Sequence, residues 1–413
     1  MIVPYRRLLS TLVKGGEELH QHYMTRTVTV ILDVDDDTHQ RIANTIDAYA
    51  AMYMAHVEWA NTHNSVSTVK AHRSIYDQLR RDYPHVPSAI IQCARNNAFG
   101  SVKSFNTQNP KKKWTKNIQY RARSAKYDRR TVSLNTLGVL TFSLAGGKRG
   151  KAQVDVPKFF RDRYGNWEFN SATIGVNKKR QVFANLSYRK LPPQKKPSGD
   201  IVGADRGIYN IATTSNGHNF SSKKIRGRKR QFKHNRETLK AKVDAGSRSA
   251  KRRYNALKGK ESRFNRNELH IITKQLAGDP AVQKYVLEDL NGLYQNKKKQ
   301  SKKFKELKRT WSPALFEQLL TYKCEANGIE VVKVDPKNTS RKCSHCGFVH
   351  KNNRHGAHFH CLRCEYTAHA DKNAADNIRD DYVRLLSTLP IDNDDGVRQG
   401  VCQSPDDAPT PCV

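Results

Sequence analysis

Hydrophobic and polar residues change rhythm several times along the chain. Residues 27–33, TVTVILD, alternate with a period of two, the pattern of a strand with one buried face. The segment that follows switches period. Ile42, Ile46, Tyr49, Met52, Tyr53 and Val57 recur every three or four residues and predict a helix. Further helices are expected to about Asn106, one of them around VPSAIIQCARNNAFGSVKSF. From 107 to 195 the chain returns to short β-type runs, such as RRTVSLNTLGVLTFSL and RQVFANLSYRK, divided by Gly, Asn and Lys. That spacing predicts a small antiparallel barrel or sheet. The Pro-rich, charged LPPQKKPSGD at 191–200 marks a domain boundary.

Beyond it, IVGADRGIYNIATTSNGHNF reads as three strands joined by turns. Residues 223–266 read as two helices broken near DAGSRS, and NELHIITKQLA as another helix. VQKYVLEDL has the character of a buried strand. SPALFEQLLTYKCEANG reads as a helix ending at Gly328, and IEVVKVD as a strand. A cysteine-rich stretch follows, then a helix opened by Asp371 with an expected apolar face of Ala374, Ala375, Ile378, Val383 and Leu386. Three strands, helix, strand, helix, strand, helix is an RNase H-like order, interrupted by a metal ribbon before the last helix. No fixed-period repeat is visible. The polar tail from about Pro390 predicts disorder.

Charge then narrows the function. The 413 residues carry 74 Lys and Arg against 38 Asp and Glu, a formal net charge of +36. Such an excess predicts a polyanionic partner, nucleic acid before an anionic membrane, with salt-sensitive binding. No run of roughly 18 apolar residues exists to span a bilayer. The opening residues lack the apolar core of a secretory signal, and Met24 is an alternative start. A cytoplasmic, nucleoid-associated protein of a prokaryote is expected.

The eight cysteines are too sparse for a secreted disulfide scaffold. Four of them form two CxxC knuckles, Cys343 with Cys346 and Cys361 with Cys364, separated by 14 residues. Each knuckle offers two thiolates from one tight loop, and four thiolates close a tetrahedron around structural Zn²⁺. The bland alternative is a redox or fortuitous cluster. His345, His350, His358 and His360 lie close enough to replace a ligand, although exposed or phosphate-facing histidines fit them better.

Three carboxylates stand out. Asp205 interrupts the apolar strand IVGAD, Glu288 ends the apolar YVLE, and Asp371 heads the last helix. Burying an unpaired carboxylate is costly, so an acid at the end of an apolar strand calls for a partner. Glu288 and Asp289 face opposite sides of an extended strand, so only one serves a shared site. Singly, each acid has a plain reading: turn residue, solvated strand end, N-cap. Together they belong to the first strand, the fourth strand and the last helix, which meet in an RNase H-like sheet. Such a triad would bind two Mg²⁺ or Mn²⁺ ions and hydrolyse phosphodiesters.

The stretch 223–266 holds 18 Lys and Arg against three acids. A charge run is usually a solvated face, but beside such a site it favours contact with nucleic-acid backbone. The named candidates are Lys223, Lys224, Arg226, Arg228, Lys229, Arg230, Arg252 and Arg253. Phe232, Tyr254 and Phe264 among them would stack or, more plainly, pack. The basic run 296–309 reads similarly, as a flap.

GADRGI, LEDL, NTSRKCSHCG with CLRC, and DKNAADNI resemble the signatures of the TnpB (OrfB) family of insertion sequences. That family is related to Fanzor proteins and compact type V CRISPR nucleases. The resemblance is strongest over 200–380. It implies a RuvC-type centre of Asp205, Glu288 and Asp371 and a zinc ribbon of the four knuckle cysteines. It implies an α+β multidomain chain, with the RNase H-like (RuvC-type) domain preceded by a β-barrel wedge domain that carries an inserted helical domain. The expected layout is an extension (1–26), first barrel strand (27–36), helical recognition domain (37–106), wedge barrel (107–195), nuclease domain (196–338), zinc ribbon (339–368), last helix (369–388) and tail (389–413).

The implied activity is RNA-guided cutting of double-stranded DNA, with a guide RNA transcribed from the mobile element and a monomeric protein that touches no membrane. Arg206 departs from the family pattern, which favours an apolar residue there; it is a local variant or a phosphate contact. A transposase catalysing strand transfer with the same acids, and a nuclease-inactive guided repressor, are the alternatives.

Overall fold

The alternating stretch at the start of the chain becomes β1 (Met24–Leu32), with Val28, Val30 and Leu32 buried. In the computed structural model, which describes residues 22–115, 118, 123–290 and 312–388, the chain divides into two units at Pro192/Pro193. β1 begins at Met24, so three residues expected in the extension belong to the strand. Residues 1–21, the basic run 296–309 and the tail 389–413 lie outside the described residues.

In the first unit, α1 (Asp36–Thr62) is capped by the Asp35 carboxylate, which accepts from the Thr38 N–H at 2.6 Å. Its 3–4 spaced residues Ile42, Ile46, Tyr49, Met52, Tyr53 and Val57 are buried as their periodicity requires. Two further helices follow, α2 (Thr68–Asp82) and α3 (Ser88–Gln108). The strands are β2 (Ser124–Tyr127), β3 (Val132–Leu134), β4 (Val139–Ser143), β5 (Arg149–Gln153), β6 (Glu168–Val176) and β7 (Val182–Lys190), with α4 (Lys158–Tyr164) before β6. They pair as an antiparallel four-stranded sheet, β1-β7-β6-β2, and a three-stranded sheet, β3-β4-β5. Strand pairing thus makes two antiparallel sheets from the run for which a small barrel or sheet was expected. β1 runs along β7 from Met24 opposite Lys190 to Leu32 opposite Val182, across the helices inserted between them in sequence.

The second unit opens with β8 (Asp200–Asp205), β9 (Asn210–Thr214) and β10 (Asn219–Ser221). Three helices follow: α5 (Lys223–Asp244), α6 (Arg248–Ala256) and α7 (Lys260–Ala277). The sequence placed one break in the basic stretch. A second falls at Gly259, which adopts φ +78°, and α7 absorbs the last basic residues onto NELHIITKQLA. Then come β11 (Val282–Glu288), α8 (Pro313–Glu325), β12 (Glu330–Val334), the ribbon strands β13 (Arg354–His355), β14 (His358–His360) and β15 (Thr367–His369), and α9 (Ala370–Thr388).

The main sheet has the order β10-β9-β8-β11-β12, with β8, β11 and β12 parallel. The first and fourth strands are neighbours, as the element order predicted. Side-chain alternation then sorts the two faces. Val202, Ala204, Tyr285 and Leu287 join Leu269, Leu276, Phe316 and Leu320 of α7 and α8 in one core. Val286 and Val334 join Ile378 and Tyr382 of α9 on the other side. Val383 and Leu386, expected on the apolar face of α9, are instead 45% and 41% exposed, and Tyr382 takes their place. Among the described residues no helix is long and apolar enough to cross a membrane.

α9 rests on β8 at Gly203. A Cβ there would lie 2.1 Å from the Ala375 carbonyl oxygen and 2.7 Å from the Arg379 nitrogen, both helix backbone. Gly203→Ala is therefore expected to push α9 off the sheet, at a cost of about 3 kcal/mol. Thermal denaturation checks this: the midpoint should fall by roughly 6–12 °C for a unit of this size.

Candidate active site and metal-binding ribbon

The strand registers build the site. Leu287 of β11 lies beside Ala204 of β8, so the next residues, Glu288 and Asp205, end parallel neighbouring strands at the same edge. Both fall on the face covered by α9, because Gly203 and Val286, two residues earlier, face that helix. α9 adds Asp371 in its first turn. The three acids thus come together, and Asp289 goes to the other face, where Lys333 lies 3.6 Å away.

Two of the three carboxylates are held by hydrogen bonds. Asp371 accepts from the Arg354 guanidinium at 2.7 Å through one oxygen and from the Asn210 amide at 2.9 Å through the other. Glu288 accepts from the Thr339 hydroxyl. Burial pushes the Asp205 carboxyl up to about 8, helped by the charges of Glu288 and Asp371 and opposed by Arg354 and Arg206. Burial also raises Glu288, with Thr339, Arg206 and Arg354 acting against it. Burial is the main cause at both carboxyls, and at Asp205 the neighbouring acids add to it. Hard carboxylate oxygens in such a cluster are a donor set that fits Mg²⁺ or Mn²⁺.

Of the two readings of Arg206, local variant and phosphate contact, burial leaves the first, and Arg354 carries a role that the sequence did not single out. Arg206 is 3% exposed and meets no solvent-borne phosphate. It donates to Glu317 of α8 at 2.9 Å and to the Glu288 carbonyl, tying the ends of β8 and β11 to α8. Alternation explains it: the residue after Asp205 must face the α8 side. Arg354 had no sequence signal beyond being one more cation in a basic ribbon, yet it pairs with Asp371, and its charge acts on Asp205 and Glu288 as well.

The four knuckle cysteines are drawn together. Among the described residues they alone bring three or more ligand atoms of His, Cys, Asp or Glu within 4.8 Å of one another. Cys343 Sγ lies 3.7 Å from Cys364 Sγ, and Cys346 Sγ 3.6 Å from Cys361 Sγ. A tetrahedron with bonds of about 2.3 Å has edges of about 3.8 Å, so the set fits Zn²⁺. Burial alone would raise the Cys361 thiol. The backbone N–H groups of Cys364 and Arg363, with the Cys364 and Cys346 thiols, outweigh it and draw Cys361 down to about 7, while Cys364 is pushed up to about 12. Two of the four histidines have other duties: His345 stacks on Tyr366, and His350 stacks on Phe348 and accepts from the Asn352 N–H.

Asparagines bolt the ribbon to α9. Asn373 accepts from the Ser344 N–H at 2.9 Å and donates to the Lys342 carbonyl at 2.8 Å. Asn377 donates to the carbonyls of Thr339 and Lys342. Both are buried. Polar residues four apart inside an alanine-lined helix, as in DKNAADNI, were the available signal for this seam.

Of the basic candidates, Lys223, Lys224, Arg228, Arg230, Arg252 and Arg253 are exposed, and Arg226 and Lys229 are half-buried. Lys224 pairs with Glu268 at 2.8 Å, Arg226 covers the Tyr209 ring, and Arg228 lies over Phe232. Phe232 is buried and Phe264 packs against the core, whereas Tyr254 stays exposed. Tyr254 lines a cleft of 680 Å³ with Lys229, Arg236 and Lys258.

Known proteins match this architecture. Residues 314–378 fit the family model described as the Cas12f1-like TNB domain. The CRISPR-associated endodeoxyribonuclease Cas12f1 of Sulfoacidibacillus thermotolerans is 46% identical over 71 residues, 17% of each chain. InsQ of Escherichia coli strain K12 is 30% identical over 203 residues, 44% of this chain and 49% of that one. A TnpB-like protein of Methanocaldococcus jannaschii is 28% identical over 118 residues, covering 28% of this chain and 42% of its own. The chain thus spans about half or less of the curated relatives it matches. Among solved structures, the Cas12f1–sgRNA–target DNA complex superposes with a TM-score of 0.61 at 14% identity, covering 86% of this chain and 99% of that one. The mini-RNA-guided endonuclease CRISPR-Cas_phi3 gives 0.53 at 11% identity, covering 91% and 94%. These likenesses concern the fold. Family-model match, curated relatives and fold agree: the chain is similar to TnpB-like proteins and to the compact type V CRISPR proteins.

Proposed function

We propose that this protein is a transposon-encoded, RNA-guided DNA endonuclease that hydrolyses phosphodiester bonds at a RuvC-type, two-metal centre in the cytoplasm. The observation that carries the reading is the convergence of Asp205, Glu288 and Asp371 on one edge of a parallel strand pair, with Arg354 beside them. The net charge of +36 and the exposed lysines and arginines of α5 and α6 support a nucleic-acid partner. The names of the relatives, an endodeoxyribonuclease and a complex with guide RNA and target DNA, support the same partners here.

In this reading Asp205, Glu288 and Asp371 would hold two Mg²⁺ or Mn²⁺ ions. Bound there, the ions would supply an activated water and a stabilised leaving oxygen. The protein supplies the positioning. Thr339 orients the Glu288 carboxylate, Asn210 orients Asp371, and Arg206 fixes the strand end that carries Glu288. Arg354 is placed to exchange its hold on Asp371 for a phosphate oxygen of the strand being cut. The four cysteines would hold a structural Zn²⁺. The first unit would be the wedge, with α1 to α3 as its inserted recognition helices, reading the target-flanking motif. Lys223, Lys224, Arg226, Arg228, Lys229, Arg230, Arg252 and Arg253 would follow the phosphate backbone of guide or target.

Purification from a host carrying the flanking element tests the reading. A discrete RNA should co-purify, and its variable end should direct Mg²⁺-dependent cutting to matching DNA. Equal, sequence-blind cutting after RNase treatment would overturn the guided function.

A further inference from the structure

Nothing described so far uses the ring of Tyr209. It stands in the turn between β8 and β9, four residues after Asp205 and directly before Asn210, whose amide holds Asp371. The residue is 60% exposed. A lone exposed aromatic is ordinary on a protein surface. The way this one is held is not. Its carbonyl accepts from both the N–H and the hydroxyl of Ser222 at 2.8 Å, and that hydroxyl also reaches the Ile208 carbonyl at 2.6 Å. The Gly207 N–H closes the turn on the Asn210 carbonyl at 2.9 Å. The Arg226 guanidinium sits over the ring, 4.7 Å from its centroid, with its buried Nε making no hydrogen bond. A cation thus backs the ring, and the ring remains open to solvent elsewhere.

We propose that Tyr209, backed by Arg226, is a stacking platform for one base of the DNA strand presented for cutting. The proposal rests on the nuclease reading above and adds a nucleobase subsite to it. Every base has a π-face, so a single aromatic surface accepts any sequence, as a guided enzyme requires. The turn that carries the ring also carries Asp205 and leads into Asn210, so a stacked base would lie next to the scissile phosphate. Lys223 and Lys224, exposed at the start of α5 directly after Ser222, supply cations for the neighbouring phosphates. Tyr209 touches the base and not the reacting atoms, so it is a positioning residue: it holds the phosphate over the acids.

The test uses the full chain loaded with its guide RNA. Once the cut is mapped, target DNAs carrying a single abasic residue are stepped across it. In the wild type, one abasic position flanking the cut should slow cutting by about 5- to 100-fold. Tyr209→Ala should slow cutting of intact DNA by a similar factor, and the abasic lesion at that position should then cost nothing more. Tyr209→Trp should restore both the rate and the sensitivity to the lesion, which excludes a folding defect. Equal abasic penalties in wild type and Tyr209→Ala, or unchanged cutting by Tyr209→Ala, would overturn the platform alone. A loaded wild type that does not cut would overturn the platform and the nuclease reading together.

Discussion

Asp205→Asn is expected to abolish cutting while making the metal-free protein more stable. The two effects come from one cause. Burial and the neighbouring acids raise the Asp205 carboxyl to about 8, so near neutral pH the fold favours its uncharged form. The sign follows from linkage. A carboxyl raised above its unfolded value contributes stability below the unfolded value and loses it as pH rises through the folded one. An amide of the same shape never ionises and removes that loss. The melting temperature of the metal-free variant at pH 8 should therefore exceed that of the wild type, by about 2–4 °C for each kcal/mol relieved. On the proposed reading, cutting needs the charge that the fold resists. Removing it should lower the Mg²⁺-dependent rate by about 10³-fold or more, some 4 kcal/mol of transition-state stabilisation. Calorimetry with a single-turnover cutting assay measures both. A stable variant that still cuts at the wild-type rate would remove Asp205 from the catalytic set. In the wild type at limiting Mg²⁺, cutting should rise with pH up to about 8, because protons and cations compete for the same oxygens.

Cys343→Ser or Cys361→Ser should also stop cutting, with all three acids intact. Losing one thiolate would open the tetrahedron in which the four cysteines would hold Zn²⁺. The ribbon carries Arg354, which grips Asp371, and its first knuckle meets α9 through Asn373 and Asn377. Zinc content should fall, protection of ribbon amides from hydrogen exchange should be lost, and the rate should drop at least about 100-fold. Exchange in the other unit should be unchanged. Full zinc retention with an intact ribbon and no cutting would mean that these cysteines act directly in the chemistry.

The three acids were legible because each breaks a local rule: a charge at the end of an apolar strand, or at the head of a helix beside a metal knot. The strand neighbours that bring them together were legible from element order. What escaped was tertiary. Arg354 looks like any other ribbon cation until β13 places it against Asp371. Arg206 looked available for phosphate because chain position does not reveal which face of the sheet a strand end meets. On α9 the helical period was right, but the sheet supports only part of the helix, so Val383 and Leu386 pass beyond the core. Periodicity marks a face and not its length.

The insertion of the ribbon ahead of α9 also sets a timetable. Asp205 and Glu288 leave the ribosome long before Asp371. The third acid is delivered only after the segment bearing the four cysteines has been made. A nascent chain therefore carries its basic helices α5 and α6 well before the three acids can meet. On the proposed reading, zinc supply during synthesis would be the last checkpoint between a chain that binds and one that cuts.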